Sequence, residues 1–134
     1  MMIRIDTAAT GIAMALLLAA CTTVPVQYSG GVLTQSGGMT LYTFDKDPAG
    51  SGKSVCNGQC AKNWPPFMAT ASDKGGGDWL IITRDDGSRQ WTYKGKPLYL
   101  WAKDQKPGDR TGDGVNNVWH VVNEETPMMR SGYY

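Results

Sequence analysis

Leu41-Tyr42-Thr43-Phe44-Asp45-Lys46-Asp47 occurs in this chain a second time, 57 residues later, as Leu98-Tyr99-Leu100-Trp101-Ala102-Lys103-Asp104. Both copies have the form Leu-Tyr-x-aromatic-x-Lys-Asp, and a tryptophan follows each of them, Trp64 and Trp119. A repeat of this length is typical of one supersecondary unit used twice to enclose a shared core. The sequence therefore predicts tandem repeats of about 57 residues, with repeat one at about 32–68 and repeat two at about 89–122.

The segments around the two motifs predict short antiparallel strands joined by glycine-containing turns. We expect a hairpin over 30–44 with its turn at 35–38, a three-stranded meander, and a final strand at 118–122. The meander strands are expected at 79–83, 89–93 and 98–101, and a flexible glycine-rich excursion at 70–78 precedes them. The predicted fold class is mostly β: one small antiparallel β domain over 32–122, with one short helical turn near residues 57–64.

The first 20 residues have the pattern of a secretory signal peptide rather than of a folded element. One cation, Arg4, precedes an apolar run at 8–18 that is too short for a permanent membrane helix. The run ends in Leu18-Ala19-Ala20-Cys21, which resembles a bacterial lipobox. We therefore expect cleavage before Cys21 and lipidation of that cysteine with palmitate-type acyl chains, followed by a polar tether over 21–31. The last segment, 123–134, is predicted to be a flexible tail.

Lipidation at Cys21 predicts that the protein is attached to a membrane through its N-terminus. Several acyl chains exceed the two signals that stable anchoring requires. Thr22 rather than aspartate follows the cysteine, and by resemblance to lipoproteins of Gram-negative bacteria this indicates the periplasmic side of the cell outer membrane. In a Gram-positive source the anchor would be the outer face of the plasma membrane.

The composition excludes some classes of partner. The formal net charge is only +1, and no segment forms a basic face or an acidic run, so nucleic acid is not an expected partner. The 17 glycines and five tryptophans favour turns and short strands around an aromatic core.

Two cysteines remain in the mature chain once Cys21 is lipidated. Cys56 and Cys60 would lie in an oxidising compartment, and Asn57-Gly58 between them favours a turn, so a local disulfide is the favoured prediction. The alternative is a thiol pair with redox activity or a role in metal binding, although the spacing differs from that of thioredoxin-like and haem-attachment motifs.

Several motifs in order resemble one known family. These are the two Tyr-x-aromatic-x-x-Asp motifs, the segments Cys56–Cys60 and Trp64-Pro65-Pro66, the segment Asp85–Tyr93, Gly95–Tyr99 and Pro107–His120. They resemble the predicted bacterial lipoproteins with a Yx(FWY)xxD motif, also called the secreted repeat of unknown function. The similarity covers roughly residues 30 to 122. It implies an architecture and a compartment but no particular chemistry.

The repeat motif admits two interpretations. In the first, the aromatic residues fill the core and each aspartate caps a turn by accepting backbone N–H bonds. In the second, the hydroxyl and carboxylate groups of both repeats converge on one ligand site at a pseudo-twofold axis. The residues concerned in both interpretations are Tyr42, Phe44, Asp47, Tyr99, Trp101 and Asp104.

The sequence evidence for a metal site is weak. Asp104, Asp109 and Asp113, together with the carbonyls of Gly112 or Asn116, offer oxygen ligands for calcium, but the spacing does not fit an EF-hand. His120, the only histidine, is expected to alternate with Trp119 between the outside and the core of a strand. Together with Met39, Met68, Met128 or Met129, His120 would suit copper, and copper or haem binding at this histidine is the alternative to calcium.

No catalytic motif is present in the sequence, so an enzyme is the least supported class. The leading hypothesis is a lipid-anchored, periplasm-facing envelope protein without catalytic activity or a predicted cofactor, which binds a small ligand or an envelope protein partner. The alternative is a periplasmic redox or copper- or haem-binding protein.

Overall fold

The computed structural model describes Gly11 and residues 23–125. The predicted signal peptide, Cys21 and the end of the tail at 126–134 lie outside the described residues. The described part of the chain contains, in order, β1 (Val26–Ser29), β2 (Val32–Gln35), β3 (Tyr42–Phe44), α1 (Gln59–Asn63), β4 (Trp79–Thr83), β5 (Arg89–Tyr93), β6 (Lys96–Pro97), a 3-10 helix (Val115–Asn117) and β7 (Trp119–Val121). The predicted mostly β class with one short helical turn is confirmed.

Three small antiparallel sheets build the domain. β1 pairs with β2, β3 pairs with β7, and β4, β5 and β6 form a meander, whose third strand lies at Lys96–Pro97 rather than at the predicted 98–101. Strands β4 and β5 have the bounds expected from the sequence, because an apolar run rich in isoleucine forms β4 and a strong Asp86-Gly87 turn signal separates it from β5. The pairing of β3 with β7 joins repeat one to repeat two, with Tyr42 opposite Val121 and Phe44 opposite Trp119.

The structure places a strand inside the segment that the sequence assigned to the tether. β1 pairs with β2 through the turn Gly30-Gly31, whose φ angles are 59° and 81°. Two consecutive residues with positive φ produce the turn geometry that matches the twist of a two-residue hairpin. The composition of 21–31 hides this strand, because Gln27, Tyr28 and Ser29 are exposed and carry no apolar alternation.

Two further strands are shorter than expected. The segment 98–101 forms isolated bridges rather than a regular strand: Tyr99 pairs with Tyr42 on one side and with Pro66 on the other. The predicted strand at 39–44 is regular only from Tyr42, and Thr40 is held by a single bridge to Thr34. Both segments have an extended backbone, but consecutive residues pair with different strands or loops, so no continuous β-ladder forms.

The alternation within the two motifs separates two hydrophobic clusters. Tyr42, Phe44 and Tyr99 belong to one cluster with Trp64 and Trp119, and half-buried Trp101 packs against it. The leucines of the motifs, Leu41 and Leu98, belong to the other cluster, whose remaining buried members are Leu33, Phe67 and Trp91. Each motif therefore sends alternate side chains into different cores, as expected for a period of two.

Helix α1 lies within the predicted range 57–64. It follows Gly58, which has a φ of 57°, and ends before Trp64-Pro65-Pro66, where proline cannot continue a helix. No helix of the described residues is both long enough and apolar enough to cross a membrane. The first residues of the predicted tail are held in place, because Asn123 pairs with Val32 and the Glu124 N–H donates to the Gly31 carbonyl.

Candidate functional site

The two motif tyrosines meet at the contact between the repeats. The Tyr42 N–H donates to the Tyr99 carbonyl at 2.8 Å, and the Tyr99 N–H donates back to the Tyr42 carbonyl at 2.9 Å. Each phenol then reaches the aspartate of the other motif: Tyr42 Oη donates to Asp104 Oδ2 at 2.6 Å, and Tyr99 Oη donates to Asp47 Oδ2. The Tyr-x-aromatic-x-x-Asp motif is therefore a reciprocal clasp, in which each repeat supplies a donor and an acceptor to its counterpart.

The other oxygen of each carboxylate serves its own repeat. Asp47 Oδ1 accepts the Val55 N–H at 2.8 Å, and Asp104 Oδ1 accepts the Thr111 N–H at 3.0 Å and the Thr111 hydroxyl at 2.6 Å. Each aspartate therefore caps the backbone of its own repeat and also accepts a hydrogen bond from the tyrosine of the other repeat. Tyr42, Tyr99 and Asp47 have no exposed surface, and Asp104 retains only 8%. The structure brings the polar groups of the two motifs together, and they hydrogen-bond to one another in the interior.

Burial raises the pKa of Tyr42 and of Tyr99 far above its usual value, because a phenolate would lose its hydration. The hydrogen bond to Asp104 raises the pKa of Tyr42 further, and the bond to Asp47 does the same for Tyr99. Both phenols therefore remain protonated donors at neutral pH.

Four aromatic rings form a continuous stack beside the clasp. The rings of Trp64 and Trp119 lie 3.7 Å apart at an interplanar angle of 4° and form its centre. Trp101 stacks on Trp64 at 3.9 Å, and Phe44 stacks on Trp119 at 4.2 Å. The order Phe44–Trp119–Trp64–Trp101 has the same pseudo-twofold symmetry as the clasp, because each motif aromatic covers the tryptophan of the other repeat.

The clasp tyrosines meet this stack with edge-to-face contacts. Tyr42 lies 5.5 Å from Trp64 at 78°, and Tyr99 lies 5.1 Å from Trp119 at 90°. Stacked and T-shaped geometries are the favoured arrangements for aromatic pairs and add to the stabilisation from burial. The two repeats thus share one aromatic interior, as the repeated sequence predicts.

A cavity of about 430 Å³ lies beside the stack at the contact between the repeats. Both faces of Trp64 and both faces of Trp119 are covered by neighbouring rings, so these side chains can border the cavity only with their edges. Residues from both repeats line it: Phe44, Lys46, Cys60, Asn63, Trp64, Asn116, Val118 and Trp119. Among the described residues that line it, one is a cation, two carry amides and none is acidic.

Asn116 and Asn117 hold an uncommon backbone conformation beside this cavity. Their φ angles are 52° and 58°, in the left-handed region that asparagine tolerates better than most residues. Non-glycine residues in that region concentrate at functional sites, where the surrounding structure enforces the conformation. No sequence pattern indicates this cavity, because its lining combines motif positions with residues from separate segments near each tryptophan.

A buried arginine extends the clasp on one side. Arg84, 5% exposed, donates to Ser54 Oγ at 2.9 Å, to Gln90 Oε1 at 2.7 Å and to the Cys56 carbonyl at 2.6 Å. Ser54 Oγ lies 2.6 Å from Tyr99 Oη. Since the phenol has one proton and gives it to Asp47, Ser54 must be the donor in this bond. A directed chain therefore links the buried cation at Arg84 to the buried carboxylate at Asp47 through two hydroxyl groups.

The favoured cysteine prediction agrees with the structure. Cys56 and Cys60 form a disulfide with a Cα–Cα distance of 5.2 Å. Cys56 lies before α1 rather than within it, so the two side chains can approach each other. The bridge fixes the loop whose carbonyl receives Arg84, and Cys60 also lines the cavity.

The candidate metal ligands lie apart. His120 pairs with Asp45 at 2.7 Å on the surface, whereas its neighbour Trp119 is buried, as the predicted alternation requires. Asp109 accepts the N–H groups of Gln105 and Lys106, which lowers its pKa, and Asp113 accepts the Val121 N–H. Among the described residues, no group of three or more histidine, cysteine, aspartate or glutamate side chains is arranged to hold a metal ion.

Comparison with known proteins shows that both repeats match the same protein family. The profile of a family described as a secreted repeat of unknown function matches residues 26–68 and again residues 80–123. The chain belongs to this family. The first match begins at β1 and the second includes most of β4. No curated protein and no solved structure matches the chain.

Proposed function

We propose that this secreted repeat protein is a lipid-anchored, periplasm-facing lipoprotein of the bacterial outer membrane that binds a small ligand in the cavity between its repeats. The observation that carries the ligand-binding part is the cavity itself, which both repeats build and which combines an aromatic wall with a polar rim. Of its lining residues, all within the described part of the chain, none forms a nucleophile–base pair, and Cys60 is held in a disulfide. The proposed role is therefore binding rather than catalysis.

The chemistry of the lining favours a small organic anion with an apolar body. Lys46 supplies a positive charge, and the amides of Asn63 and Asn116 supply N–H donors. The edge of an aromatic ring carries partial positive charge, and Trp64 and Trp119 can present only their edges. The cavity therefore combines the positive charge of Lys46 and the partly positive tryptophan edges, which suit an anionic group, with apolar surface that suits the apolar body of a ligand.

The ligand prediction concerns Lys46. Replacing Lys46 by glutamine should weaken the binding of a probe such as benzoate by about tenfold, which corresponds to about 1.4 kcal/mol, because a charge-assisted contact is lost. Titration calorimetry and NMR shift mapping on the purified chain would measure this change, with neutral benzamide as the matched probe.

Lys103 provides the control variant. It occupies the same motif position as Lys46 in the second repeat but does not line the cavity. Lys103→Gln should leave benzoate binding nearly unchanged. Equal losses in the two variants, or benzamide binding as well as benzoate, would contradict the proposed site.

The anchoring part of the proposal rests on the lipobox-like sequence before Cys21 and on the secreted nature of the family. When the full chain is expressed in a Gram-negative host with an alkyne-tagged palmitate analogue, we expect labelling and recovery in the outer-membrane fraction. Cys21→Ser should abolish the label, because the thiol that accepts the lipid is lost. Cys60→Ser is the control and should keep the label; a labelled Cys21→Ser variant would refute the anchor.

A further inference from the structure

The tryptophan stack connects the protein surface to its interior. Trp101 is half-buried at one end, and from its ring the stack runs inward to Trp64 and Trp119 with centroid separations of 3.9 Å and 3.7 Å. Rings in such contact overlap in their π systems, and indole is one of the two side chains that lose a single electron most readily. The other is phenol, and a phenol touches each inner tryptophan: Tyr42 on Trp64 and Tyr99 on Trp119.

Each of these phenols already has an acceptor for its proton. A phenol that loses an electron becomes strongly acidic, so its oxidation is easiest where a base lies within hydrogen-bond distance and can accept the proton. Asp104 Oδ2 accepts the Tyr42 hydroxyl at 2.6 Å, and Asp47 Oδ2 accepts that of Tyr99. A short hydrogen bond to a carboxylate allows the proton to move while the electron leaves.

The charges along the stack give the transfer a direction. The Lys103 ammonium lies 5.6 Å from the Trp101 ring centroid, where it disfavours a radical cation at the surface end. The Asp104 carboxylate accepts the hydroxyl of Tyr42, which contacts Trp64, and it favours positive charge at that inner position. Asp47 accepts the Tyr99 hydroxyl, but its charge is compensated by Arg84 through Ser54. An electron vacancy created at Trp101 is therefore driven inward.

We propose that the stacked rings form a relay for single-electron oxidation, which carries an electron vacancy from Trp101 to the Tyr42–Asp104 and Tyr99–Asp47 pairs. A one-electron, outer-sphere oxidant at the surface takes one electron from Trp101. Trp64 then reduces oxidised Trp101, and Trp119 in turn reduces oxidised Trp64. A tyrosine supplies the last electron, while its phenolic proton passes to the hydrogen-bonded carboxylate. The products are a reduced oxidant, a neutral tyrosyl radical and a protonated aspartate, so one electron leaves the protein and one proton moves within it.

This activity is independent of the proposed ligand cavity and goes beyond it. The relay uses the faces of the rings and the interior clasp, whereas the ligand proposal uses ring edges, Lys46 and two amides. Loss of ligand binding in the Lys46→Gln variant would leave the relay unaffected.

Flash photolysis with tris(bipyridine)ruthenium and an electron-accepting quencher tests the relay on the purified full chain. Photogenerated ruthenium(III) is the oxidant, and transient absorption with electron paramagnetic resonance follows indole and tyrosyl radicals. We expect an indole radical that converts to a tyrosyl radical in the wild type. Trp101→Phe should lower the tyrosyl yield several-fold, because the outermost oxidisable ring is removed while an aromatic ring is retained.

Two further variants make the result decisive. Trp79→Phe removes a tryptophan that packs on Tyr93 outside the stack, and it should leave the tyrosyl yield unchanged. The double variant Tyr42→Phe/Tyr99→Phe should lose most of the tyrosyl signal and prolong the indole radical, because the terminal electron donors are absent. A tyrosyl signal that survives the double variant, or that falls equally in Trp79→Phe and Trp101→Phe, would show direct oxidation of surface side chains and overturn the proposal.

Discussion

Replacing Trp64 by alanine is expected to lower the free energy of unfolding by about 3–5 kcal/mol, the range for truncating a buried aromatic side chain. Trp64 is only 4% exposed and occupies the centre of the stack, with Trp119 on one face and Trp101 on the other. Its truncation removes both stacked contacts and the edge contact with Tyr42. Because the stack alternates rings from the two repeats, the loss falls on the contact between the repeats.

Urea unfolding followed by circular dichroism would measure this change, and Trp119→Ala should give a similar loss because its position is pseudo-symmetric. Trp79→Ala is the matched control: its side chain is half-buried and its ring contact is with Tyr93 alone among the described aromatic pairs. We expect a clearly smaller loss there. A Trp64→Ala variant no less stable than Trp79→Ala would contradict the view that the shared aromatic interior holds the repeats together.

The sequence predicted the shared interior because the responsible signals are local and periodic. Alternation in Leu41-Tyr42-Thr43-Phe44 determines which side chains share a face, and the repeated motif places the same pattern in both halves. The hairpin of β4 and β5 was predicted with its observed bounds because its signals, an apolar run and the turn Asp86-Gly87, are also local. Residue spacing also predicted that Trp119 and His120 would point to opposite sides of a strand, and Trp119 is buried whereas the side chain of His120 is 44% exposed.

The features that the sequence did not reveal depend on contacts between distant segments. Tyr42 and Asp104 are 62 residues apart, and nothing in either motif indicates that its aspartate serves the other repeat's tyrosine. Arg84 follows a strand and precedes a turn, where a charged side chain is ordinarily solvated, yet the loop that carries Ser54 and Cys56 covers it. The cavity has the same origin, since Lys46, Asn63 and Asn116 meet only after the repeats have paired.

The reciprocal clasp offers a comparison of two equivalent aspartates that differ in one respect. Asp47 and Asp104 each accept a tyrosine hydroxyl from the other repeat and a backbone N–H from their own. In an asparagine variant one of the two oxygens becomes an NH₂ group and faces a donor. This mismatch alone should cost about 1–3 kcal/mol at either position, as for other buried polar groups that lose a partner.

Asp47 differs because the hydrogen-bonded chain through Tyr99 and Ser54 ends at Arg84. The chain gives the buried guanidinium a buried counter-charge, whereas no hydrogen-bonded chain of described residues joins Asp104 to a buried cation. Asp47→Asn removes this counter-charge and leaves the cation in an interior of low polarity, a situation that typically costs about 3–5 kcal/mol. We therefore expect Asp47→Asn to destabilise the protein more than Asp104→Asn.

A double-mutant cycle with Arg84→Met isolates the charge contribution, because methionine fills much of the space of the arginine stem without a charge. In the Arg84→Met background, the cost of Asp47→Asn should fall toward that of Asp104→Asn, with a coupling energy of about 0.5–3 kcal/mol. The same background should leave the cost of Asp104→Asn unchanged. Urea unfolding at one pH and constant ionic strength gives all the required free energies. If the two asparagine variants are equally unstable and Arg84→Met changes neither, the hydroxyl chain does not couple the two buried charges, and the clasp acts through hydrogen-bond geometry alone.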